Sequence, residues 1–451
     1  MAQASVLEKR SPFARLELTP AQTIIAGFAA IILAGALVLS LPIAAEDGQR
    51  TPFLTALFTA TSAVCVTGLV VVDTATHWST FGELVILLLI QLGGLGYMTV
   101  ATLMAMAIGR RIGLRERLVL QEAHNLYTMG GVVRFTRTVV LVTLAIEAAG
   151  ALLLAVRWWP ELGFGRGAYY GIFHSVSAFN NAGFDLWGEF RSLTPFVGDL
   201  SVNLTIAVLI ILGGLGFTVL TDLWRPKRFT LHAKVVLATT TTLILLGTVL
   251  VFLLEYRNPE TLGRLPGWQK VLASFFQSVT PRTAGFNTLE TSRLLDPTLM
   301  LLIALMFIGA SPGGTGGGIK TTTFVAPLAV ILAMLRGRQE PELFWRRLPA
   351  VVVYKAVTIA LVGLAFVVTM ATLLSFTERV ELIEALFEVT SAFGTVGLST
   401  GITPALSTIG RVIVMITVFT GRVGLLTMAF ALTRRQQMVS YRYPEERILI
   451  G

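Results

Sequence analysis

Uncharged apolar runs dominate this sequence, and short polar segments separate them. A helix that crosses the hydrocarbon core of a bilayer needs about 20 consecutive, mostly apolar residues. The pattern predicts an all-α integral membrane protein that crosses a lipid bilayer several times. Runs that reach or exceed the required length lie at Leu18–Ala45, Leu84–Gly109, Leu200–Thr221, Val235–Leu254, Pro297–Ile319 and Ala356–Thr377.

Four segments with one shared pattern lie between these runs. In each of them a Gly follows a Phe by ten residues, and a Leu or Phe follows the Gly. The apolar stretch before each Gly has about 10–14 residues, which is too short to cross a bilayer and is typical of a re-entrant segment. The segments are FTATSAVCVTG (Phe58–Gly68), FHSVSAFNNAG (Phe173–Gly183), FFQSVTPRTAG (Phe275–Gly285) and FEVTSAFGTVG (Phe387–Gly397).

A second set of similar sequences supports the same period. LGGLGY at Leu92–Tyr97 matches LGGLGF at Leu212–Phe217, and altered versions stand at Gly309–Gly318 and Gly421–Gly424. We therefore predict four helix–pore-loop–helix repeats, each with an outer helix, a short pore helix, an extended filter segment and an inner helix. The predicted boundaries are 1–19 for a cytoplasmic N-terminal tail, 20–115, 116–230 and 231–345 for the first three repeats, and 346–451 for the fourth repeat with the C-terminal tail.

The distribution of charge orients these repeats. Only 14% of the residues are charged, against about 25% in soluble proteins. The net charge is +9, and many of the Lys and Arg residues that produce it stand in linkers beside helix ends. This is the positive-inside pattern of a membrane protein, so the charge does not indicate a nucleic acid partner. Because each repeat begins and ends beside a basic linker, the repeats are parallel rather than inverted, and we expect a pseudo-fourfold arrangement around one central pore. The clearest basic clusters are Arg110, Arg111, Arg115 and Arg117, and Arg225, Lys227 and Arg228.

The four extended segments predict a selectivity filter. Non-helical backbone at membrane depth is tolerated only where it is buried or lines water, and rings of main-chain carbonyl oxygens can replace the hydration shell of a monovalent cation. Glycine suits the position because it adopts a positive φ without steric strain. A packing notch would explain one such Gly but not four in register, and no Asp or Glu stands at these positions to favour a divalent ion. The candidate filter residues are Cys65, Val66, Thr67 and Gly68; Asn180, Asn181, Ala182 and Gly183; Arg282, Thr283, Ala284 and Gly285; and Gly394, Thr395, Val396 and Gly397.

A glycine-rich stretch interrupts the inner helix of repeat three. It cannot continue as a regular helix, since Gly and Pro are unfavourable in helix interiors, and we predict an intramembrane gating loop at 309–319. Helix packing is the alternative explanation for its glycines. A phosphate-binding loop is excluded because Ile319 separates Gly318 from Lys320, whereas that motif requires Gly and Lys to be adjacent. The candidate gate residues are Gly309, Gly313, Gly314, Thr315, Gly316, Gly317, Gly318, Lys320 and Arg422.

Ionisable residues inside apolar runs indicate function by default, because a charge in a membrane is costly. We expect Arg422 to face the cavity below the filter, to hydrogen-bond the gating loop and to act as an electrostatic barrier; a structural ion pair is the alternative. Lys320 is a candidate loop anchor or a residue near the cytoplasmic exit. For Glu147 a structural pairing is favoured over ion coordination. Arg282 is expected to brace the outer mouth.

Other polar residues are assigned to structure. Asn180 and Asn181 are expected to orient the filter through side-chain hydrogen bonds, and His174 and His77 are interpreted as structural, since four scattered His residues make no metal site. The single cysteine, Cys65, excludes an internal disulfide framework. We interpret the first apolar run as a retained helix, because it has no obvious signal-peptide cleavage site.

Taken with their spacing, these motifs resemble the Trk/Ktr/HKT superfamily of potassium transporters. The resemblance covers essentially the whole chain. It is closest to the Ktr-type membrane subunits, because TrkH-type proteins carry an additional helix pair for which this chain has no room before its first repeat. The motifs are SAVCVTGLVVVDT, SAFNNAGFDL, TPRTAGFNT, SPGGTGGGIKTTT, SAFGTVGLSTG and the tail YPEERILIG.

What the resemblance implies is potassium uptake across the cell membrane. It further implies a homodimer with one pore per subunit, a regulatory cytosolic ring of KtrA-type nucleotide-binding subunits, and sodium-dependent transport. No cofactor is expected beyond transported K⁺, with Na⁺ as a coupling or activating ion. Because each repeat keeps a single filter Gly, K⁺ over Na⁺ selectivity weaker than that of a fourfold channel is a further hypothesis.

Three alternatives compete with potassium uptake of the Ktr type. One is a TrkH-like system driven by a proton or potassium gradient. A sodium-conducting relative of the plant type is disfavoured by the Gly, rather than Ser, at position 68. A membrane-embedded enzyme would need several His, Cys, Asp or Glu residues at membrane depth, where the sequence offers little besides Glu147, so we predict that the protein is not an enzyme.

Overall fold

The computed structural model describes residues 19–96, 99, 132–223, 229–338, 340–425, 427, 428, 444 and 446. Within these ranges helices make up nearly all of the regular structure, as the apolar runs predict. Among the described residues, four helices are long and apolar enough to cross a membrane, namely Ala21–Leu39, Arg134–Phe179, Leu231–Glu255 and Ala350–Glu378. Most of the N-terminal tail, the basic clusters at 110–117 and 225–228 and most of the C-terminal tail lie outside the described residues.

In chain order, the helices alternate between long outer helices and shorter elements that follow them. A two-stranded antiparallel hairpin joins the third and fourth repeats, formed by β1 (Glu342–Leu343) and β2 (Arg346–Arg347). The helices are α1 (Pro20–Leu39), α2 (Phe53–Val64), α3 (Thr74–His77), α4 (Thr80–Leu95), α5 (Val132–Phe179), α6 (Leu200–Leu215), α7 (Phe217–Leu223), α8 (Leu231–Glu255), α9 (Gly267–Val279), α10 (Asp296–Phe307), α11 (Thr321–Leu335), α12 (Ala350–Glu378), α13 (Leu382–Gly394) and α14 (Thr408–Val423).

Polar side chains fix where the inner helices begin. Ser79 caps α4 by accepting a hydrogen bond from the Gly82 N–H, and Ser407 caps α14 in the same way. In repeat two, Asp199 caps α6 through the N–H groups of Ser201 and Val202. Each such cap satisfies a helix N–H group that has no intrahelical partner and stabilises the helix by about 1 kcal/mol.

Pore helix two follows the outer helix of its repeat without a connecting loop. The helix α5 runs through both, with a break at Gly163, where φ is 76° and ψ is 167°. Pro160 lies three residues before this break and removes one backbone donor from the helix. The predicted boundary between the two helices is therefore a kink at a Gly rather than a loop.

Besides the predicted interruption in repeat three, the inner helices of the other repeats also have breaks that the sequence analysis did not predict. Helix α4 ends before Gly96 (φ 76°), α6 before Gly216 (φ 91°) and α14 before Gly424 (φ 90°). After Gly216 the chain turns by 105° into α7. A positive φ is disfavoured for residues with a Cβ. The last Gly of each LGGLG or GRVG sequence therefore marks a helix break.

The hydrophobic core joins neighbouring repeats rather than filling each one separately. Phe58 of repeat one shares a cluster of buried side chains with Phe393 of repeat four. Phe179 of repeat two shares another with Phe276 of repeat three, and Leu302 of repeat three packs in a third with Phe387 of repeat four. Apolar side chains on the outer helices face outward, as expected in lipid.

Close packing of the inner helices on the pore helices generates a prediction. A Cβ on Gly213 would overlap the main-chain oxygen of Phe179, and its φ is not positive, so any effect of Gly213→Ala comes from overlap alone. We expect a loss of stability of about 1–3 kcal/mol, measured as a lower melting temperature in detergent. Gly165→Ala is the matched control, because nothing lies within 4 Å of a Cβ there. Equal melting temperatures for the two variants would contradict the packing role.

Candidate functional site

Each predicted filter segment follows the C-terminal end of a pore helix. Helix α2 ends at Val64, α5 at Phe179, α9 at Val279 and α13 at Gly394. The C-terminal end of a helix carries partial negative charge. Four such ends therefore lie next to the segments that the sequence singles out for cation binding.

The backbone conformation of the four segments is the same at two positions. The residue two places before each Gly has a positive φ although it carries a side chain, and the Gly itself also has a positive φ. A left-handed conformation costs a residue with a Cβ roughly 1–2 kcal/mol, so its occurrence at four equivalent sites indicates a functional constraint. The values are 51° at Val66, 57° at Asn181, 80° at Thr283 and 50° at Thr395, and 85° at Gly68, 71° at Gly183, 79° at Gly285 and 96° at Gly397.

The filter glycines contact one another in a closed cycle. A Cβ added to any of them would overlap the carbonyl oxygen that precedes the Gly of the next repeat, so only Gly permits this approach. The cycle returns from the fourth repeat to the first. The overlapping pairs are Gly68 with Ala182, Gly183 with Ala284, Gly285 with Val396, and Gly397 with Thr67.

Hydroxyl groups on the pore helices hold the segments in two different ways. The Gly68 N–H donates to Ser62 Oγ at 3.0 Å, and the Gly397 N–H donates to Ser391 Oγ at 3.0 Å. In repeat two, Ser177 Oγ instead donates to the Phe184 carbonyl at 2.7 Å, and Thr280 makes the corresponding bond in repeat three. Repeats one and four thus form one pair, and repeats two and three another. A Ser six residues before the Gly in repeats one, two and four was the sequence signal for these braces, whereas repeat three uses Thr280, five residues before its Gly.

The predicted gating loop lies against three of the four filter segments. Its backbone pairs with the end of α6, where Ser311 N donates to Gly214 O at 2.9 Å and Thr315 N to Gly213 O at 3.1 Å. A Cβ on Gly316 would overlap the Thr283 hydroxyl. The predicted gating loop is therefore held by main-chain hydrogen bonds and by close contacts that require Gly.

Side chains tie this loop to the filter and to the remaining repeats. The Thr315 hydroxyl lies 2.7 Å from the Asn181 side-chain amide, and Gly317 N donates to Thr395 Oγ1 at 3.0 Å. Arg422 donates to the main-chain oxygens of Thr315 and Gly93. The loop thereby contacts groups from repeats two, three and four, and through Arg422 it is linked to repeat one.

Lys320 closes the loop on itself. Its Nζ donates to the Gly316 carbonyl at 2.6 Å. Within the described part of the chain, Lys320 and Arg422 have no carboxylate within ion-pair distance. Both cations instead bind main-chain oxygens of the loop, so the ion-pair alternative for Arg422 has no partner there.

A comparison with models of known protein families shows to which family this chain belongs. Residues 6–442 match the TrkH model, which is described as a cation transport protein. The chain belongs to the TrkH family. Its members transport ions, so the prediction that the protein is not an enzyme is confirmed.

Relatives in the TrkH family cover the chain from end to end. Ktr system potassium uptake protein B of Bacillus subtilis is 43% identical, over 99% of this chain and 100% of its own length. Potassium/sodium uptake protein NtpJ of Enterococcus hirae is 40% identical, over 99% and 100%. The resemblance to the Trk/Ktr/HKT superfamily is thereby confirmed.

A solved structure supports the fold of this TrkH-family chain. The crystal structure of the potassium transporter TrkH from Vibrio parahaemolyticus matches with a TM-score of 0.74 at 17% identity, over 93% of this chain and 86% of that one. At this identity the match bears on the fold alone. It supports an all-α membrane architecture.

One predicted side-chain position in this TrkH-family protein differs. Arg282 does not reach the outer mouth; its Nη1 lies 3.4 Å from the Thr240 carbonyl in the middle of α8. The residue three places before the filter Gly lies directly after α5 in repeat two and three residues after the end of α9 in repeat three, and its side chain points behind the filter. Asn180, at the equivalent position, also points behind it.

A further pair of residues supports the segments on their outer side. His174 Nε2 accepts a hydrogen bond from the Leu186 N–H at 3.3 Å, and its Nδ1 lies 2.8 Å from the Tyr170 carbonyl. Glu388 occupies the same repeat position in pore helix four and is bonded by the Thr403 hydroxyl. Sequence reasoning missed Glu388, although polar residues recur nine places before Gly in three repeats. His77, outside the spans, bonds Thr51 at 3.1 Å, and burial lowers its pKa.

The hydroxyl braces lead to a prediction about ion discrimination. Ser391→Ala leaves the Gly397 N–H without its acceptor, at a cost of about 1–3 kcal/mol, and the filter segment loses order. We expect sodium to inhibit rubidium uptake more strongly in this variant than in the wild type. Thr390→Val is the control, because the adjacent Thr390 hydroxyl is buried without a protein partner. Identical sodium inhibition of both variants would show that the brace is dispensable.

Proposed function

We propose that this protein carries potassium ions into the cell through a channel-like filter, built by four parallel repeats in pseudo-fourfold order around one central pore. The observation that carries the proposal is the closed cycle of Gly–carbonyl contacts among four segments with the same left-handed residues. Carbonyl oxygens turned toward a common axis replace the hydration shell of a monovalent cation. The pore-helix ends add partial negative charge around it.

Potassium as the transported ion is supported by the relatives. The B. subtilis relative is named for potassium uptake, and the E. hirae relative for potassium and sodium uptake. The second name favours a role for sodium here, as the coupling or activating ion. A purely sodium-conducting protein is the second candidate, and competition between the two ions distinguishes them.

The pairing of repeats supports weaker selectivity than a fourfold channel has. Repeats one and four present Leu after the filter Gly and accept the Gly N–H on a Ser, whereas repeats two and three present Phe and hold its carbonyl. A filter built from two kinds of segment offers an ion fewer equivalent sets of carbonyl oxygens than a filter built from four identical segments. The discrimination between K⁺ and Na⁺ is therefore expected to rely on part of the ring.

The gate in this proposal is the loop 309–319 with Lys320 and Arg422. Two positive charges directly below the filter repel a cation that leaves it, because Coulomb repulsion is strong where water is excluded. Arg422 also bridges the loop to Gly93 of the first inner helix. Transport then requires the loop and the Arg422 guanidinium to move out of the ion path.

The assembly belongs to the proposal as well. The B. subtilis relative is named as protein B of a Ktr system, which supports a system with a further component. We assign to this protein a cytosolic KtrA-type nucleotide-binding ring as regulator, a homodimeric state with one pore per subunit, and a place in the cytoplasmic membrane.

Loss of a filter Gly tests the transport proposal. A side chain at Gly397 overlaps the Thr67 carbonyl and distorts the ring, so Gly397→Ser is expected to abolish growth of a potassium-uptake-deficient strain at low external potassium. The matched control is Gly401→Ser, since Gly401 also has a positive φ (104°) but nothing within 4 Å of its Cβ position. Growth with Gly397→Ser at the wild-type rate, or no rubidium uptake by the wild-type protein in liposomes, would refute the proposal.

Removal of the barrier charge tests the gate. Arg422→Gln eliminates the charge and the two bonds to Thr315 and Gly93, and severalfold faster rubidium flux through the protein without its cytosolic partner is expected. Arg411→Gln on the same helix is the control, because Arg411 bonds Leu406 far from the loop. Unchanged flux in a folded Arg422→Gln protein would reject the barrier role.

A further inference from the structure

The hairpin between repeats three and four carries two aromatic residues at its tip. Its strands pair Leu343 with Arg346, so Phe344 and Trp345 form a two-residue turn. Both residues have a positive φ, 47° at Phe344 and 63° at Trp345. A turn of this kind favours Asn-Gly, because a positive φ is unfavourable for most residues with a Cβ. The sequence of the turn is therefore not the one that the hairpin itself prefers.

Packing within the chain does not compensate for this choice. Trp345 is 94% exposed, and Phe344 is 48% exposed. The hairpin connects the apolar helix α11 to α12, which is long enough to cross a membrane, so its tip is expected at the surface of the bilayer. Trp is enriched at this surface in membrane proteins, where its ring lies at the level of the lipid headgroups.

An apolar groove of about 230 Å³ separates the hairpin from α11. Ala329, Leu332 and Ala333 of the helix line one side, and Leu343 and Phe344 of the hairpin line the other. Leu332 is itself 42% exposed and stands among other exposed Leu, Ile and Met side chains of α11. The groove thus continues into an apolar helix surface, and an acyl chain fits such a surface.

The acidic residues of this groove already have partners. Arg338 donates to Glu342 at 2.7 Å, and Arg347 donates to Glu340 at 2.8 Å. Both Glu residues and Arg338 line the groove. Because each carboxylate is matched by a guanidinium group, these two pairs add no net charge to the groove.

Two further arginines at the groove have no such partner. Arg336 lines it at the end of α11. Arg346 lies directly opposite Leu343 in the hairpin, and residues in this relation project from the same face. In the part of the chain that the structure describes, neither Arg has a carboxylate within ion-pair distance. Free guanidinium groups bind phosphate oxygens well.

We propose that this groove binds an anionic phospholipid. Arg336 and Arg346 hold its phosphate, an acyl chain lies along α11, and the rings of Phe344 and Trp345 lie at headgroup level. The general excess of basic residues in the linkers accounts for the arginines alone. It does not account for an exposed aromatic pair in a turn that disfavours it, or for an apolar groove beside the unpaired charges.

Native mass spectrometry of the full chain in detergent tests the site, with phosphatidylglycerol and phosphatidylcholine of the same acyl chains as probes. The wild type is expected to bind phosphatidylglycerol more tightly. Arg336→Gln combined with Arg346→Gln should weaken that binding roughly thirtyfold, since each Arg beside an anionic lipid contributes about a fivefold gain in affinity. Most of the preference over phosphatidylcholine should disappear with it.

A control of equal charge comes from the other end of the outer helices. Arg50 and Arg257 are exposed, follow the ends of α1 and α8, and have no carboxylate within ion-pair distance among the described residues. Arg50→Gln combined with Arg257→Gln removes the same two charges. This variant should bind phosphatidylglycerol as the wild type does.

A third variant separates lipid contact from folding. Phe344→Asn combined with Trp345→Gly gives the turn the sequence that it prefers, so the hairpin is retained. The melting temperature without added lipid should equal or exceed that of the wild type. Binding of phosphatidylglycerol should nevertheless fall severalfold, because the aromatic contacts with the headgroup region are lost.

Three results would overturn the proposal. One is equal affinity of the wild type for the two lipids, and another is equal phosphatidylglycerol binding by the Arg336/Arg346 variant and its control. The third is a changed oligomeric state of that variant with unchanged lipid binding, which would assign this face to a second copy of the chain. None of these results bears on rubidium transport, so the proposed function is tested separately.

Discussion

Close approach of backbone to backbone inside the membrane is the constraint on which this structure depends. A filter that offers bare carbonyl oxygens to an ion needs peptide groups from four segments within contact distance, and a Cβ at any of the four glycines would prevent it. The same constraint applies one layer further out. Gly93, Gly213 and Gly421 let the inner helices pack on the carbonyl groups that end the pore helices. Every buried carbonyl of this kind must be covered by protein, since no water is available there.

Periodicity allowed four filter segments to be predicted, because a packing notch explains one such Gly but not four in register. The breaks in the inner helices were not predictable from the same letters. Gly93 packs inside a helix whereas Gly96 ends it, and the residue type is identical at both. Only tertiary contacts separate the two roles: Gly93 faces Val64, while a Cβ on Gly96 would meet nothing within 4 Å. Composition likewise identified the loop at 309–319, but its main-chain bonds to the end of α6 depend on a neighbouring repeat.

The direction of the side chains next to the filter was the property hardest to predict from the sequence. Asn180 and Arg282 occupy the same repeat position, and both point behind the filter, although the sequence favoured an outer position for Arg282. The reason is geometric, since the backbone after the pore helix fixes the direction of the Cα–Cβ bond, and this direction limits where the rest of the side chain can reach. Alignment of the four repeats does contain this information, because one side chain of known direction fixes the others. The structure was nevertheless needed to show the direction of the first of these side chains.

The filter segments and the gating loop contact each other directly, so neither can rearrange without the other. The residues held at positive φ in repeats two, three and four are the ones that the loop touches: Asn181 bonds Thr315, Thr395 bonds Gly317, and Thr283 packs on Gly316. A left-handed residue with a side chain is unfavourable by itself and persists only where its surroundings hold it. Withdrawal of the loop removes that support from three of the four segments and leaves only Val66 without a change. In the proposed mechanism, opening the gate therefore also loosens the inner side of the filter, and the affinity for the ion falls as the path to the cytoplasm opens.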